Sequence, residues 1–231
     1  DPGGEVPIGR SVQRAGVGEG AIRRCGSRRT ACSEAQGHGT RHGQSTEPRH
    51  SAISYALHAS GKSVTIVKIG YIHWPFCIAK CPYCDFNSHV RKTAETAVWK
   101  DALIADMRHE HVQANSEEPL TSIFFGGGTP SLMPPSLVAE LIAEADRLWG
   151  FDPAVEITLE ANPSSVEAAN FADLAMAGVN RVSLGVQSLH DEALRFLGRL
   201  HGASEALQAL EVAQRHFKRV SIDLIYARPG Q

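Results

Sequence analysis

Three cysteines lie within eight residues of each other, Cys77, Cys81 and Cys84, in the segment YIHWPFCIAKCPYCDFN that spans positions 71–87. Their spacing is C-x3-C-x2-C. Thiolates bind soft metal ions and iron–sulfur clusters, whereas a tight cluster with an odd number of cysteines is a poor framework for disulfides. The spacing therefore predicts a metal or cluster site. It also predicts a reducing compartment, because exposed thiolates and iron–sulfur clusters are easily oxidised.

Two kinds of centre could use these thiolates. An iron–sulfur cluster normally takes four cysteines, so three would leave one iron open, and another molecule could bind there. A zinc site would need a fourth ligand, for which His73 and His89 are candidates, but such sites usually add a distant second pair of ligands that this sequence lacks. The remaining cysteines, Cys25 and Cys32, stand in a different segment and are interpreted as incidental thiols. The spacing favours a [4Fe–4S] cluster over zinc.

Strands and helices are predicted to alternate from about residue 65 onward. Short apolar, β-branched runs predict strands over Thr65–Ile72, Ser122–Phe125, Glu156–Leu159, Arg181–Val186 and Val220–Tyr226. Helical spacing predicts helices over Thr93–Gln113, Pro135–Leu148, Ser164–Gly178, 190–198 and 203–216, with Ser164 and Glu167 placed as a capping box. This alternation implies parallel strands, and either a TIM-like barrel or a doubly wound sheet fits it.

Glycine or polar residues stand at the predicted carboxyl ends of four of these strands. They are Gly127, Gly128 and Thr129 after the second strand, Glu160 after the third, Gln187 after the fourth and Asp223 within the fifth. The glycines alone could form only a tight turn, and Glu160 alone could be a solvated strand end. Ligand sites of parallel α/β folds lie at this edge of the sheet. The four groups are therefore predicted to converge with the cysteine loop on one site.

The first 60 residues differ in composition from the rest. They contain eight Arg, no Lys and five acidic residues, and they show little periodicity. We expect residues 1–60 to be an irregular, disordered or non-native leader, and residues 61–231 to form the folded domain. The formal charge of the whole chain is −2, which argues against nucleic acid as a partner. The sequence has no apolar run long enough to predict a transmembrane segment.

The cysteine segment resembles the radical-SAM signature, in which the protein holds a cluster that binds S-adenosylmethionine (SAM). Its wider frame, Y-x-H-x-P-F-C-x3-C-x-Y-C-D-F, resembles the coproporphyrinogen-dehydrogenase-like family, and most closely its HemW heme chaperones. The likeness runs from about Val67 to Gln231 through GGGTP at 126–130, LEANP at 159–163, SLGVQS at 183–188 and IDLIY at 222–226. The resemblance implies a partial (β/α)6 TIM-like barrel that is truncated here after about the fifth strand, so that the core domain is incomplete at its C-terminus.

The resemblance also implies roles for individual residues. The three cysteines would hold the [4Fe–4S] cluster, and SAM would chelate the open iron through its amino and carboxylate groups. The SAM contacts that carry over are Tyr71, Tyr83, Gly127, Gly128, Thr129, Glu160, Gln187, Arg199 and Asp223. From the residues alone, Arg199 could equally be an exposed arginine at a helix end. No catalytic residue is assigned.

Phe86 decides between two branches of the resembled family. The oxygen-independent coproporphyrinogen III dehydrogenases carry a further cysteine two positions after the third, where this sequence has Phe86 after Asp85. This difference favours a heme chaperone over an enzyme of porphyrin biosynthesis that decarboxylates coproporphyrinogen by radical chemistry. The chaperone branch implies heme or another tetrapyrrole as ligand, heme-accepting respiratory proteins and a reductant protein as partners, and a cytoplasmic location. It implies that heme is bound partly through a His-containing motif in a region after Gln231, so no heme ligand is assigned here.

Overall fold

The computed structural model describes residues 51–60, 63–91, 94–114 and 117–231. Its strands are β1 (Ser51–Ser60), β2 (Ser63–Trp74), β3 (Phe76–Cys77), β4 (His89–Val90), β5 (Leu120–Gly127), β6 (Phe151–Ala161), β7 (Arg181–Gln187) and β8 (Arg219–Leu224). Its helices are α1 (Thr96–Ala114), α2 (Pro135–Trp149), α3 (Ser165–Ala168), α4 (Phe171–Met176), α5 (Asp191–Phe196) and α6 (Ala203–His216), with a 3-10 turn at Pro130–Leu132. Within these residues, no helix combines the length and the apolar character that crossing a membrane requires.

Six strands form one sheet in the order β1-β2-β5-β6-β7-β8. From β2 to β8 each neighbouring pair is parallel, and the strands follow one another as they do along the chain. A doubly wound sheet reverses its strand order at a switch point, and no reversal occurs here. The order is that of a partial TIM-like barrel, which confirms the predicted α/β fold and decides between the two architectures that periodicity left open.

β1 corrects the predicted boundary of the leader. Residues 51–60 were expected to be irregular, but they pair antiparallel with β2 from Ser51 opposite Ile72 to Ser60 opposite Ser63. The alternation of Ile53, Tyr55 and Leu57 with smaller or polar neighbours has the period of a strand, and it identifies this segment within an otherwise aperiodic region. The rest of the predicted leader, residues 1–50, lies outside the described residues.

The helix predicted over Ser164–Gly178 is divided into α3 and α4. The Ser164 hydroxyl accepts a hydrogen bond from the backbone N–H of Glu167 at 3.3 Å, as an N-cap residue does. Gly178 follows α4 with a φ of 111°, a left-handed value that glycine adopts without strain. Between the two helices the chain turns at residues 169–170, and the Phe171 side chain beyond the turn is fully buried.

An aromatic cluster anchors the segment that leads into the cysteines. The Phe76 ring packs edge-on against Trp74 and Trp99, with centroid distances of 5.1 and 5.0 Å. Trp74 and Phe76 are buried in the main core together with apolar residues of α1, α2 and the sheet. Because Phe76 directly precedes Cys77, burial of its ring fixes where the cysteine loop leaves the sheet.

The glycines at the end of β5 pack against this same segment. A Cβ atom at Gly126 would lie 2.8 Å from the Tyr71 hydroxyl, and one at Gly128 would lie 2.6 Å from the carbonyl oxygen of Phe76. Gly128 N–H also donates to the Trp74 carbonyl at 2.6 Å, and Thr129 N–H donates to the Phe76 carbonyl at 2.9 Å. The glycines therefore allow a close approach to the chain's own preceding strand, to the Tyr71 side chain at Gly126 and to the Phe76 backbone at Gly128. This approach aligns β5 with the start of the cysteine loop.

We predict that Gly127→Ala destabilises the protein more than Gly150→Ala. Both glycines have positive φ, 110° and 68°, but a Cβ at Gly127 would lie 2.6 Å from the His73 ring, whereas none of the described atoms lies within 4 Å of one at Gly150. Backbone strain applies to both variants, and overpacking adds about 1–3 kcal/mol at Gly127 alone. Chemical denaturation measures the two free energies of unfolding. Equal losses would contradict the close packing at Gly127.

Candidate functional site

The cysteine loop begins at the carboxyl end of β2 and is closed by the short pair β3 and β4. His89 N–H donates to the Pro75 carbonyl at 2.7 Å, and Arg91 N–H donates to the Cys77 carbonyl at 3.1 Å. Within the loop, Lys80 Nζ donates to the Phe86 carbonyl at 2.8 Å and contacts the Ser88 hydroxyl at 3.1 Å. These bonds hold both ends of the loop and tie its middle back on itself.

All three thiols of the loop are free and lie along one cavity of about 150 Å³. The other predicted site residues on the wall of this cavity are Tyr83, Gly128, Thr129, Glu160, Gln187, Arg199 and Asp223. They come from the cysteine loop, from the carboxyl ends of four strands and from the segment after α5. The structure thus brings together ten of the twelve residues singled out as cluster ligands or SAM contacts.

Tyr71 and Gly127 do not line this cavity. Tyr71 is half-buried on β2, its ring stacked at 6.0 Å on Phe124. Gly127 N–H donates to a carboxylate oxygen of Glu160 at 3.3 Å, so it contacts the site through that side chain. Their direct contact with SAM stays a prediction.

Sequence reasoning missed several residues that line the same cavity. They are Ala79, Lys80, Phe86, Ser88, Pro130, Ala161, Asn162, Ser183 and Gly185. Asn162 and Ser183 belong to the segments LEANP and SLGVQS, so the signal that could have found them was present. Phe86 is 57% exposed at the cavity.

Burial and a second carboxylate control the charge of Glu160. Desolvation, opposed by the Gly127 N–H bond and assisted by the nearby Asp223 charge, raises the pKa of Glu160 to about 7. Desolvation and the Glu160 charge together raise the pKa of Tyr71 above its ordinary value. Near neutral pH, therefore, this side of the cavity carries one carboxylate that is poised between its two protonation states.

A line of hydrogen bonds inside the sheet orients Asp223. The Ser183 hydroxyl donates to its carboxylate oxygens at 3.2 and 3.3 Å, and the Ser221 hydroxyl donates to Ser183 at 3.0 Å. Arg181 in turn donates to Ser221 at 3.2 Å. Since each donor in this line is directed toward the carboxylate, the line fixes the orientation of the Asp223 side chain.

Arg199 joins the cysteine loop to the strand ends. Its Nη1 lies 3.3 Å from the Cys81 sulfur and 3.2 Å from the Tyr83 hydroxyl, and its Nη2 donates to Asn162 Oδ1 at 2.6 Å and to the Gly185 carbonyl at 2.9 Å. It follows Gly198, which has a φ of 67° and where a Cβ would lie 2.6 Å from Pro82. The tight turn beside the loop explains why this arginine points into the cavity instead of into solvent.

The donors at this site fit an iron–sulfur cluster, because thiolates are the ligands that such a cluster takes. Among the described residues, no group of three His, Cys, Asp or Glu side chains converges on one point as ligands of a single metal ion would. In a [4Fe–4S] cluster each thiolate binds a different iron, so convergence on one point is not required. The buried Nε of Arg199 has no hydrogen-bond partner within the described part of the chain, which leaves a donor for a bound group.

Comparison with known proteins identifies the family. A model of the radical SAM superfamily matches residues 71–231. The chain is 43% identical over 162 residues to the mitochondrial radical S-adenosyl methionine domain-containing protein 1 of Bos taurus, and 42% identical over 163 residues to the heme chaperone HemW of Escherichia coli. Each alignment covers 70% of this chain, and 36% and 43% of those relatives. The chain thus spans about two fifths of the length of the curated relatives it matches.

A solved structure supports the same assignment. Coproporphyrinogen III oxidase (HemN) from Escherichia coli, a radical SAM enzyme, superposes with a TM-score of 0.62 and 28% sequence identity. The superposition covers 71% of this chain and 38% of the oxidase. Family model, sequence relatives and fold agree with the predicted resemblance. The chain belongs to the radical SAM superfamily, in its HemN-like branch near the HemW proteins.

Proposed function

We propose that Cys77, Cys81 and Cys84 hold the [4Fe–4S] cluster that radical SAM proteins use, and that SAM binds in the adjoining cavity. The observation that supports this most is the cavity itself, where three free thiols lie beside the ends of four parallel strands. The chemistry that such a cluster supplies to SAM is one-electron reduction of its sulfonium group. No residue of the chain has to break a bond; the chain binds, orients and shields.

The charged residues of the cavity suit the two ends of SAM. SAM carries a positive sulfonium and a carboxylate, and the cavity offers the carboxylates of Glu160 and Asp223 together with the guanidinium of Arg199. Opposite charges at short range in a half-buried site attract more strongly than in water. We propose that Glu160 and Asp223 face the cationic and hydroxyl-bearing part of SAM, whereas Arg199 faces its carboxylate.

We propose that the protein acts as a heme chaperone, and that its partners include a reductant protein and heme-accepting respiratory proteins. Support comes from the 41% and 42% identity to the HemW heme chaperones of Haemophilus influenzae and Escherichia coli. The position of Phe86, where the dehydrogenases carry a further cysteine, points the same way. A cytoplasmic location fits the three reduced thiols, and mitochondrial relatives exist as well. Coproporphyrinogen decarboxylation, suggested by the likeness to HemN, is the second candidate.

We predict that Cys→Ala at position 77, 81 or 84 abolishes cluster binding. Anaerobic reconstitution of the 231-residue chain with iron and sulfide should give a broad absorbance band near ~400 nm and an EPR signal on reduction that SAM perturbs. Each loop variant should lose both signals because three thiolates are the minimum for this cluster. Cys25→Ser and Cys32→Ser are the matched controls and should retain them. A folded parent chain that binds zinc and no iron would refute the cluster proposal.

We predict that the reconstituted chain binds heme without turning over coproporphyrinogen III. Titration with hemin should produce a saturable shift of the Soret band, and incubation with coproporphyrinogen III, SAM and a low-potential reductant should release no carbon dioxide. The chain with all three loop cysteines replaced serves as the blank for turnover. Decarboxylation above that blank would favour the dehydrogenase, and no heme binding would contradict a heme site in this part of the protein.

We predict that Glu160→Gln stabilises the ligand-free chain more at pH 8 than at pH 5. The pKa of Glu160 is raised to about 7, so between its unfolded value of 4.5 and about 7 the native state binds more protons than the unfolded state. The free energy of unfolding of the parent chain therefore falls as pH rises through that window, by about 1–2 kcal/mol once the partial exposure of Glu160 is taken into account. The variant has no carboxylate at this position and does not undergo this loss. Thermal melts at the two pH values measure the difference.

Glu144→Gln is the control for this pH dependence. Hydrogen bonding to Arg147 and Arg108 lowers the pKa of Glu144 to about 2, so its stabilising contribution is present above its ordinary value of 4.5. This variant should lose stability to a similar extent at pH 5 and at pH 8. If Glu160→Gln behaved like the control, Glu160 would not be a buried, proton-retaining carboxylate.

A further inference from the structure

Glu167 is a buried carboxylate without a role in the site described so far. Its side chain is part of a residue that is 3% exposed, and burial raises its pKa above the ordinary value. A carboxylate in such a place costs stability unless its oxygens are satisfied. It accepts a short hydrogen bond from the Ser131 hydroxyl and one at 2.7 Å from the backbone N–H of Asn162. Glu167 does not line the cavity of the three thiols but a neighbouring cavity, which Asn162 and Arg199 also line.

Glu167 does not complete the capping box that its spacing from Ser164 predicts. In a capping box the glutamate side chain reaches back to the backbone N–H of the N-cap residue. Here only half of the motif forms, since Ser164 accepts from the Glu167 N–H. The Glu167 carboxylate accepts from Asn162, from Ser131 and, at 3.4 Å, from the Ser164 hydroxyl. Helix capping therefore does not explain why an acidic residue is buried at this position.

Asn162 connects this carboxylate to the cavity, and its amide can have only one orientation. Its Nδ2 donates to Glu167 Oε1 at 3.2 Å and contacts the Thr129 hydroxyl at 3.4 Å, while its Oδ1 accepts from Arg199 at 2.6 Å. A rotation of the amide by 180° would place oxygen against a carboxylate and N–H groups against a guanidinium. Glu167 thus determines which face Asn162 presents to Arg199.

Arg199 connects the oriented amide of Asn162 to the cysteine loop. The guanidinium is planar, so fixing Nη2 on Asn162 and the Gly185 carbonyl also fixes Nη1, which lies 3.3 Å from the Cys81 sulfur. Glu167 thus contacts Asn162, Asn162 contacts Arg199, and Arg199 contacts Cys81. These contacts link a buried anion, through one amide and one cation, to a thiol of the proposed cluster site.

We propose that Glu167 is a positioning residue which, through Asn162, holds the guanidinium of Arg199 beside the Cys81 sulfur and thereby raises the reduction potential of the cluster bound there. The inference rests on the proposed cluster site. A hydrogen bond from a cation to a cluster thiolate stabilises the reduced, more negative state of the cluster and makes its potential less negative. Glu167 itself contacts neither the cluster nor SAM.

Glu167→Gln tests the proposal because it keeps the shape of the side chain but replaces one acceptor oxygen with an NH2 donor. In either orientation the glutamine NH2 group faces an N–H donor of Asn162, either the backbone N–H or Nδ2. The Asn162 amide relieves this conflict by turning, which presents its NH2 group to Arg199 and displaces the guanidinium. We expect the midpoint potential of the reconstituted cluster, measured by EPR-monitored redox titration of the 231-residue chain, to become more negative.

The sign of the shift separates positioning from direct electrostatics. If Glu167 acted on the cluster only through its own charge, removal of an anion would make the potential less negative. Arg199→Met should shift the potential in the same negative direction as Glu167→Gln, and the double variant should match Arg199→Met alone. An unchanged or less negative potential in Glu167→Gln, or additive shifts in the double variant, would overturn the proposal.

Ser164→Ala is the structural control. It removes the N-cap hydrogen bond and the 3.4 Å bond from the Ser164 hydroxyl to Glu167 Oε1, and it should lower the melting temperature. It leaves the bonds from Asn162 to Glu167 and from Arg199 to Asn162 in place, so it should not move the potential. If Glu167→Gln does not fold, Asn162→Leu breaks the same connection and should give the same negative shift; no shift would then overturn the proposal. A parent chain without a cluster refutes the proposed site itself, whereas a clustered parent with an unshifted variant refutes only the role of Glu167.

Discussion

The approach of one backbone to another at the end of β5 is the contact on which the rest of the site depends. Gly126, Gly127 and Gly128 leave no room for a side chain against the segment from Tyr71 to Phe76. This approach lets β5 continue its hydrogen bonds past the sheet, with Gly128 bonded to Trp74 and Thr129 bonded to Phe76. The sheet therefore positions the cysteine loop. The contact fixes where the loop begins, and this places the three thiols beside the strand ends.

Charge is distributed unevenly around the cavity. Glu160 lies on β6 and Asp223 on β8, on either side of β7, whereas Arg199 lies beside the cysteine loop. Each is held by a different kind of support: a backbone N–H for Glu160, a series of hydroxyl groups for Asp223, and an amide backed by a buried carboxylate for Arg199. A ligand with a cationic centre and an anionic end would find both partners already oriented, which lowers the entropy lost on binding.

Much of the fold and most of the site could be predicted from local patterns. Strand positions followed from short β-branched runs, and the convergence of Glu160, Gln187 and Asp223 followed from the rule that parallel strands end on the same edge. Glu167 could not be assigned from its spacing, because the same S-x-x-E pattern fits a cap and a buried bridge. The inward direction of Arg199 depends on contact between Gly198 and Pro82, which are 116 positions apart in the sequence. Such a contact has no local signature.

The antiparallel strand β1 has a consequence for the edge of the parallel sheet. A barrel closes when its first and last parallel strands bond to each other, but the free edge of β2 is already occupied by β1 along ten residue pairs. Closure through β2 would require β1 to leave, at the loss of that whole ladder of hydrogen bonds. Within the described sheet, β1 therefore satisfies the backbone groups along the edge of β2 that would otherwise be open to pairing with another strand.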